Sequence, residues 1–151
     1  MLKRRGPKKP NFVYADSLWH GADMLGVGVS SFSHLGAVHF QNADRWDDYL
    51  QRVHSGELPI NRAFVTDDDE KRTRELILQL KTGSVSREYF RQKFDVDLEA
   101  TYASAFEALR KQSLLEEDGS GEIRLTPAGV LRVDQLLPEF YAEKYRDSRY
   151  T

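Results

Sequence analysis

Up to about residue 42 the apolar residues come in short β-like runs, and beyond it they recur at helical spacing, so the chain divides into a strand-forming part and a helical part. The first part cannot stand by itself. Its runs, Phe12-Val-Tyr14, Met24-Leu-Gly-Val-Gly-Val29 and Ala37-Val-His-Phe40, are each expected to form a short strand bounded by turn residues. An isolated pair of such strands is marginal in water, so another layer must cover them.

From Asn42 onward the pattern is helical. Trp46, Tyr49, Leu50 and Val53 fall on one stripe of a linking helix, with Asn42 as its expected cap and Gly56 and Pro59 as its stop. Thr66-Asp-Asp-Asp69 predicts a capping box at the start of a second helix, whose buried face holds Leu76, Ile77 and Leu80 and whose end is Gly83. A third helix runs from Ser86 to Phe94, and Val85 and Phe90 form a hydrophobic staple across its cap. A fourth, Asp97 to about Gln112, buries Leu98, Tyr102, Phe106 and Leu109. Two strands then flank a turn containing Asp118, Gly119 and Gly121, and Thr126-Pro127 opens a last helix that Pro138 kinks or ends. These elements predict an α+β chain. Its parts are a basic flexible head at 1–11, a strand segment at 12–42, a linking helix and loop at 43–65, a mainly helical, winged-helix-like unit at 66–142, and a tail at 143–151.

Composition narrows the function classes. Of 151 residues, 40% are hydrophobic and 30% charged, as in a soluble globular chain, and the formal net charge is −2. There is no cysteine, which excludes disulfides, thiolate zinc sites and an iron–sulfur cluster held by this chain's own sulfurs. The head carries Lys3, Arg4, Arg5, Lys8 and Lys9 but precedes no signal-like apolar stretch, and no run reaches the roughly 20 apolar residues of a spanning helix. A cytoplasmic location without membrane contact is expected.

A winged-helix-like unit raises the question of nucleic acid. Between Asp67 and Asp118 stand 13 Asp and Glu against 9 Lys and Arg, a balance of −4, with Asp97, Glu99 and Glu107 on the recognition-like helix. Such a surface repels phosphates, so nucleic acid is disfavoured as a partner. Catalytic motifs are equally sparse. His20, His34, His39 and His54 offer no helical zinc spacing, Gly26-Val-Gly28 lacks the third glycine of a dinucleotide fingerprint, and Ser30, Ser31 and Ser33 have no nucleophile-elbow context. No catalytic residue and no metal ligand is assigned.

The run Leu18-Trp-His-Gly-Ala-Asp-Met-Leu-Gly-Val-Gly-Val-Ser-Ser-Phe-Ser33, followed by Val38-His-Phe-Gln-Asn42, resembles radical SAM proteins of the oxygen-independent coproporphyrinogen III oxidase family. Leu76-Ile-Leu-Gln-Leu80, Tyr102 to Leu115 and Ile123-Arg-Leu-Thr-Pro-Ala-Gly129 are similar to that family's C-terminal domain. The resemblance implies that 12–42 is a remnant of late βα-barrel strands. It also implies that Gly26, Gly28, Ser30 and Ser31 lie near S-adenosylmethionine, with Gln41 and Asn42 near substrate. Parent enzymes use a 4Fe–4S cluster and S-adenosylmethionine to decarboxylate a porphyrin's propionates. The cysteine motif and the early barrel have no counterpart here, so the chain alone is expected to carry no cofactor and no activity. The implied partners are an N-terminal barrel portion or a second copy joined through exposed strands. The alternative is a non-enzymatic winged-helix module that binds nucleic acid, haem or protein.

Overall fold

The structure, a computed structural model, describes residues 13–116 and 121–146. The expected basic arm, Phe12, the hairpin tip at 117–120 and the end of the tail lie outside them. The described residues open with a helix, α1 (Val13–Trp19), where a strand through Tyr14 was expected. No sheet edge receives this segment, and α1 instead lies against a later helix, α3 (Asp68–Leu80).

Three antiparallel strands follow, β1 (Phe32–Leu35), β2 (Val38–Asn42) and β3 (Ile60–Val65), in the spatial order β1-β2-β3. Gly36 and Ala37, at φ +55° and +70°, make the two-residue turn between β1 and β2. The Thr66 N–H and hydroxyl both donate to the Ala37 carbonyl, at 2.9 and 2.7 Å, which holds this turn on the far strand end. The Met24–Val29 run departs from expectation: only Met24 pairs, as a bridge to His34. The remainder forgoes a ladder because side chains occupy its backbone groups. The Gly26 N–H donates to Ser33 Oγ, and the Asn42 amide donates to the carbonyls of Gly26 and Gly28. Gly28 at φ +112° and Ser30 at φ 60° then turn the segment away.

Asn42 is thus the end of β2 and does not cap the linking helix. That helix, α2 (Trp46–His54), starts at Arg45 with no side-chain cap, and β3 occupies a stretch expected to be loop. The capping box of α3 likewise sits one residue later than expected: the Asp67 carboxylate accepts from the Glu70 N–H at 2.8 Å, and Glu70 accepts from the Asp67 N–H at 2.9 Å.

The rest of the chain builds a second layer. A short strand, β4 (Ser84–Ser86), leads into α4 (Arg87–Phe94), where Ser86 caps the helix as expected. The expected fourth helix divides at Tyr102 into α5 (Leu98–Thr101) and α6 (Ala103–Lys111). The hairpin strands β5 (Leu115–Glu116) and β6 (Glu122–Leu125) join β4 in a sheet of order β4-β6-β5. Thr126 then caps α7 (Pro127–Leu131), followed by α8 (Val133–Leu136), a 3₁₀ turn at Leu137–Phe140 containing Pro138, and α9 (Glu143–Arg146). Between these elements Leu76, Phe90, Phe106 and Leu109 are wholly buried, with Val85, Leu98, Ile123, Leu136 and Phe140 around them in one continuous core. Each such side chain withdrawn from water contributes about 1.5–3 kcal/mol. Among the described residues no helix is long and apolar enough to cross a membrane.

Candidate functional site

Strand register decides which residues share a face. Because cross-strand partners point the same way and neighbours along a strand point oppositely, one face of the first sheet carries Phe32, His34, His39, Gln41, Arg62 and Phe64. This face looks toward α3 and α9. Between them lies an open groove of about 860 Å³, lined by the strand residues Phe32, His39, Arg62 and Phe64 and by the helix residues Arg74 and Tyr145. The C-terminal turn closes one end, where Tyr145 stacks edge-on against Phe64 and its hydroxyl donates to Glu70 at 2.5 Å.

The charges in the groove are unequally matched. Along α3, Lys71 pairs with Asp68 and Arg72 with Asp69, each at 2.8 Å, while Lys81 reaches Asp134 at 3.1 Å. Arg62 Nε donates to Gln41 Oε1 at 2.8 Å. Arg74 makes no ion pair or hydrogen bond among the described residues, although it is only half exposed. Burial lowers its ordinary pKa, with Glu75 and Asp23 opposing, and a guanidinium stays charged even so. Both nearby acids have other partners: Glu75 is held by Lys93 at 2.7 Å and Tyr89 at 2.5 Å, and Asp23 accepts from the Gly36 N–H at 3.1 Å.

Two imidazoles share this setting. His34 and His39 stand opposite each other on β1 and β2, with ring centroids 6.1 Å apart, and His39 stacks on Phe32 at 5.6 Å. Burial lowers both pKa values, and the positive field of Arg74 lowers them further, so both rings give up a proton more readily than an exposed imidazole. The Nδ1 atom of each is buried and has no hydrogen-bond partner among the described residues.

The residues singled out in the sequence also converge. Gly26, Gly28, Ser30 and Ser31 form one loop that the strand residues Gln41 and Asn42 fasten: Gln41 Nε2 donates to the Ser30 carbonyl at 3.2 Å, and the Ser31 carbonyl accepts from the Asn42 N–H at 2.9 Å. Gln41 joins the two regions, since its other amide atom holds Arg62 in the groove. Gly26 is required by the fold itself, because a Cβ there would collide with the Phe32 carbonyl. Sequence reasoning missed β3 and Arg74. One signal for the latter was available: Arg74, Ile77, Leu78 and Lys81 follow helical spacing and form a second stripe on α3, facing the sheet.

A 4Fe–4S cluster does not fit this chain. It has no thiolate, and among the described residues no grouping of histidine, aspartate and glutamate could hold a metal ion.

The chain is thus a cysteine-free, mixed helix-and-sheet unit with a groove lined by charged and aromatic residues, and its helical layer has known counterparts. Residues 66–132 match the family model of the HemN C-terminal domain. Most of the chain is similar to the C-terminal portion of oxygen-independent coproporphyrinogen III oxidases. The enzyme of Pseudomonas aeruginosa is 28% identical over 138 residues, covering 83% of this chain and 30% of that protein. That of Thermostichus vulcanus is 28% identical over 146 residues, covering 94% of this chain and 45% of that protein. Among solved structures, the coproporphyrinogen III oxidase HemN of Escherichia coli, described as a radical SAM enzyme, superposes with a TM-score of 0.66 at 24% identity. That match covers 79% of this chain and 28% of the other, and it speaks to the fold alone. The chain therefore spans less than half the length of these relatives.

Proposed function

We propose that this chain forms the C-terminal accessory portion of a radical S-adenosylmethionine oxidoreductase acting on a porphyrin, with the cluster supplied by another stretch of polypeptide. In this reading residues 66–142 are a winged-helix-like cover over the substrate, 12–42 are late barrel strands, and 43–65 join the two. Gly26, Gly28, Ser30 and Ser31 stand beside S-adenosylmethionine, and Gln41 and Asn42 beside substrate. The gathering of these six residues around one fastened loop supports the assignment.

The observation that carries the reading is similarity to full-length oxidases in a chain without a single cysteine. The outer face of the first sheet is consistent with it: Leu35 and Val65 are 49% and 73% exposed there, an apolar surface suited to cover by further barrel. The matches favour this reading over a free-standing nucleic-acid module.

The test is anaerobic reconstitution with iron and sulfide, alone and with the cysteine-bearing N-terminal portion of the Pseudomonas aeruginosa relative. Alone, the chain should develop no cluster absorbance and cleave no S-adenosylmethionine. Mixed, the two should co-elute and decarboxylate coproporphyrinogen III. Turnover by the isolated chain, or no association, would sink the proposal.

A further inference from the structure

The first sheet has an open side. β3 lies at the end of the order β1-β2-β3, and Asn61 to Val65 are all exposed. The Thr66 N–H donates to the Ala37 carbonyl, and because hydrogen-bonded pairs alternate along an antiparallel ladder, Phe64 and Arg62 also turn their backbone groups inward, to His39 and Gln41. Ala63 and Val65 therefore point theirs outward, where no strand of the described residues pairs with them. Native edges are commonly blunted by lysine, proline or a bulge, but Ile60–Val65 contains neither residue, and its register shift falls at Asn61, before the run Arg62–Val65 begins. The edge also has fixed limits. At its start the Ile60 carbonyl accepts from Arg52 Nη1 at 2.7 Å, and at its end Thr66 is already turned in to Ala37.

We infer that β3 is a pairing edge for a second copy of this chain, joined antiparallel about a twofold axis at Ala63. In that register the strand is complementary to itself. Ala63 meets Ala63 of the other copy with both outward backbone groups matched, and Arg62 of each copy stands opposite Phe64 of the other on one face of the sheet. Phe64 is 44% exposed, so the guanidinium gains a ring to lie over, and Gln41 already holds that guanidinium in place at 2.8 Å. Other registers are worse. Sliding the pair by two residues one way sets the two Arg62 charges against each other, and sliding it the other way brings in Thr66, whose N–H is already spent on Ala37. A single short edge buries less than the roughly 1,200 Å² of a stable interface, so the pairing is weak and depends on concentration. It stands apart from the proposed function, since it extends the sheet sideways and leaves the outer face open.

The experiment is sedimentation of the full chain from micromolar to millimolar concentration, with disulfide trapping to read the register. The wild type should pass from monomer to dimer across that range, and Ala63→Pro, which removes an outward N–H and no bond to β2, should dimerise at least about tenfold more weakly. The absence of native cysteine makes the trapping clean. A mixture of Arg62→Cys and Phe64→Cys chains should form a disulfide-linked dimer, because the two sulfurs meet across the axis while the remaining Arg62 and Phe64 still face each other; either variant alone should link far less. This arm stands even where Ala63→Pro fails to fold. A wild type that stays monomeric throughout, a folded Ala63→Pro that dimerises like the wild type, or either cysteine variant linking alone as readily as the mixture each overturns the inference. So does loss of the link when the cysteine-bearing barrel portion is added, which would give the edge to that portion. A barrel portion that does not associate leaves the dimer as it was, so the two proposals fail separately.

Discussion

Residues 13–65 and residues 66–142 are held together by different physics. In the second region the core is aliphatic and aromatic, from Leu76 to Phe140, with Thr66, Glu75 and Gln79 buried beside it, and the large apolar residues left exposed are Val130 and Leu131. In the first, Ala43 is the sole buried hydrophobic among the described residues; Ser33, His34 and Asn42 are buried with it, while Leu25, Val27, Leu35, Trp46, Leu58 and Val65 face solvent. The later region buries oil. The earlier one buries chiefly hydrogen-bonding residues and leaves apolar side chains exposed. Exposed large apolar residues are thus concentrated in the first region, and the continuous apolar core lies in the second.

The contrast is broken most directly in the core. Phe106 is wholly buried and packs edge-on against Phe140 at 5.2 Å, so Phe106→Ala should cost about 3–5 kcal/mol and unfold residues 66–142 as a unit. Val65→Ser, at a site 73% exposed, should change the unfolding free energy measured in urea by no more than about 0.5 kcal/mol. Comparable losses from the two substitutions would mean that both regions share one core.

Asn42 tests the polar half. Its amide holds the Gly26 and Gly28 carbonyls at 3.4 and 3.0 Å, so Asn42→Ala removes two part-buried hydrogen bonds, at a cost of about 0.5–1.5 kcal/mol each. That loss should appear as faster hydrogen exchange across residues 24–42, with exchange in α6 unchanged. Uniform acceleration throughout the molecule would show that the regions open together.

These same residues mark how much was readable in the sequence. Local signals read well: Ser86 and Thr126 cap the helices they were expected to cap, because the cap and its N–H lie three residues apart in one turn. Thr66 and Asp67 were mistaken for one another since both can cap, and only packing sends the Thr66 hydroxyl to Ala37. Asn42 carries the same cap signature, yet its partners are 14 and 16 residues back, beyond any local pattern. The loop residues Gly26 to Ser31 were picked out by resemblance and do come together, while the groove was invisible. Arg74 sits within Lys71-Arg72-Thr-Arg74-Glu75, which reads as a solvated face until β3 and its sheet are known to lie across it.

The junction between the regions gives a smaller effect. Tyr89 on α4 donates to Glu75 at 2.5 Å, and its oxygen lies 3.0 Å from the His20 carbonyl, so one hydroxyl touches both α3 and the turn after α1. Tyr89→Phe should cost about 1 kcal/mol and release α1 before either sheet, seen as earlier proteolysis near Trp19. Gly21 reinforces the point, since at φ +77° it packs where a Cβ would strike the Glu75 side chain. Unchanged proteolysis in Tyr89→Phe would remove this contact from the account of how the regions are joined.

The finest distinction is in pH. His34 and His39 both have folded pKa values below the ordinary histidine value, chiefly through burial and then through Arg74, with Arg62 adding to the effect on His39 and Asp23 and Glu75 opposing it at His34. A base whose pKa is lowered by folding binds fewer protons in the native state, so acidification favours the unfolded chain. The loss should begin near pH 6.5, where the unfolded imidazoles protonate, and level off once the pH falls below the folded values. Glu70 acts in a separate window. Burial pushes its pKa up, but hydrogen bonds from Tyr145, the Asp67 N–H and Lys144 outweigh it and hold the value low, so its contribution fades only in the carboxylate range. Hydrogen exchange of β1 and β2 should therefore quicken between about pH 7 and 5.5, beyond the intrinsic pH dependence of exchange, while α6 stays protected. Replacing both histidines with glutamine should abolish that step. A step of equal size in α6 would mean that protonation of the sheet is transmitted to the core, and the division between a region built on hydrogen bonds and one built on apolar burial would no longer hold.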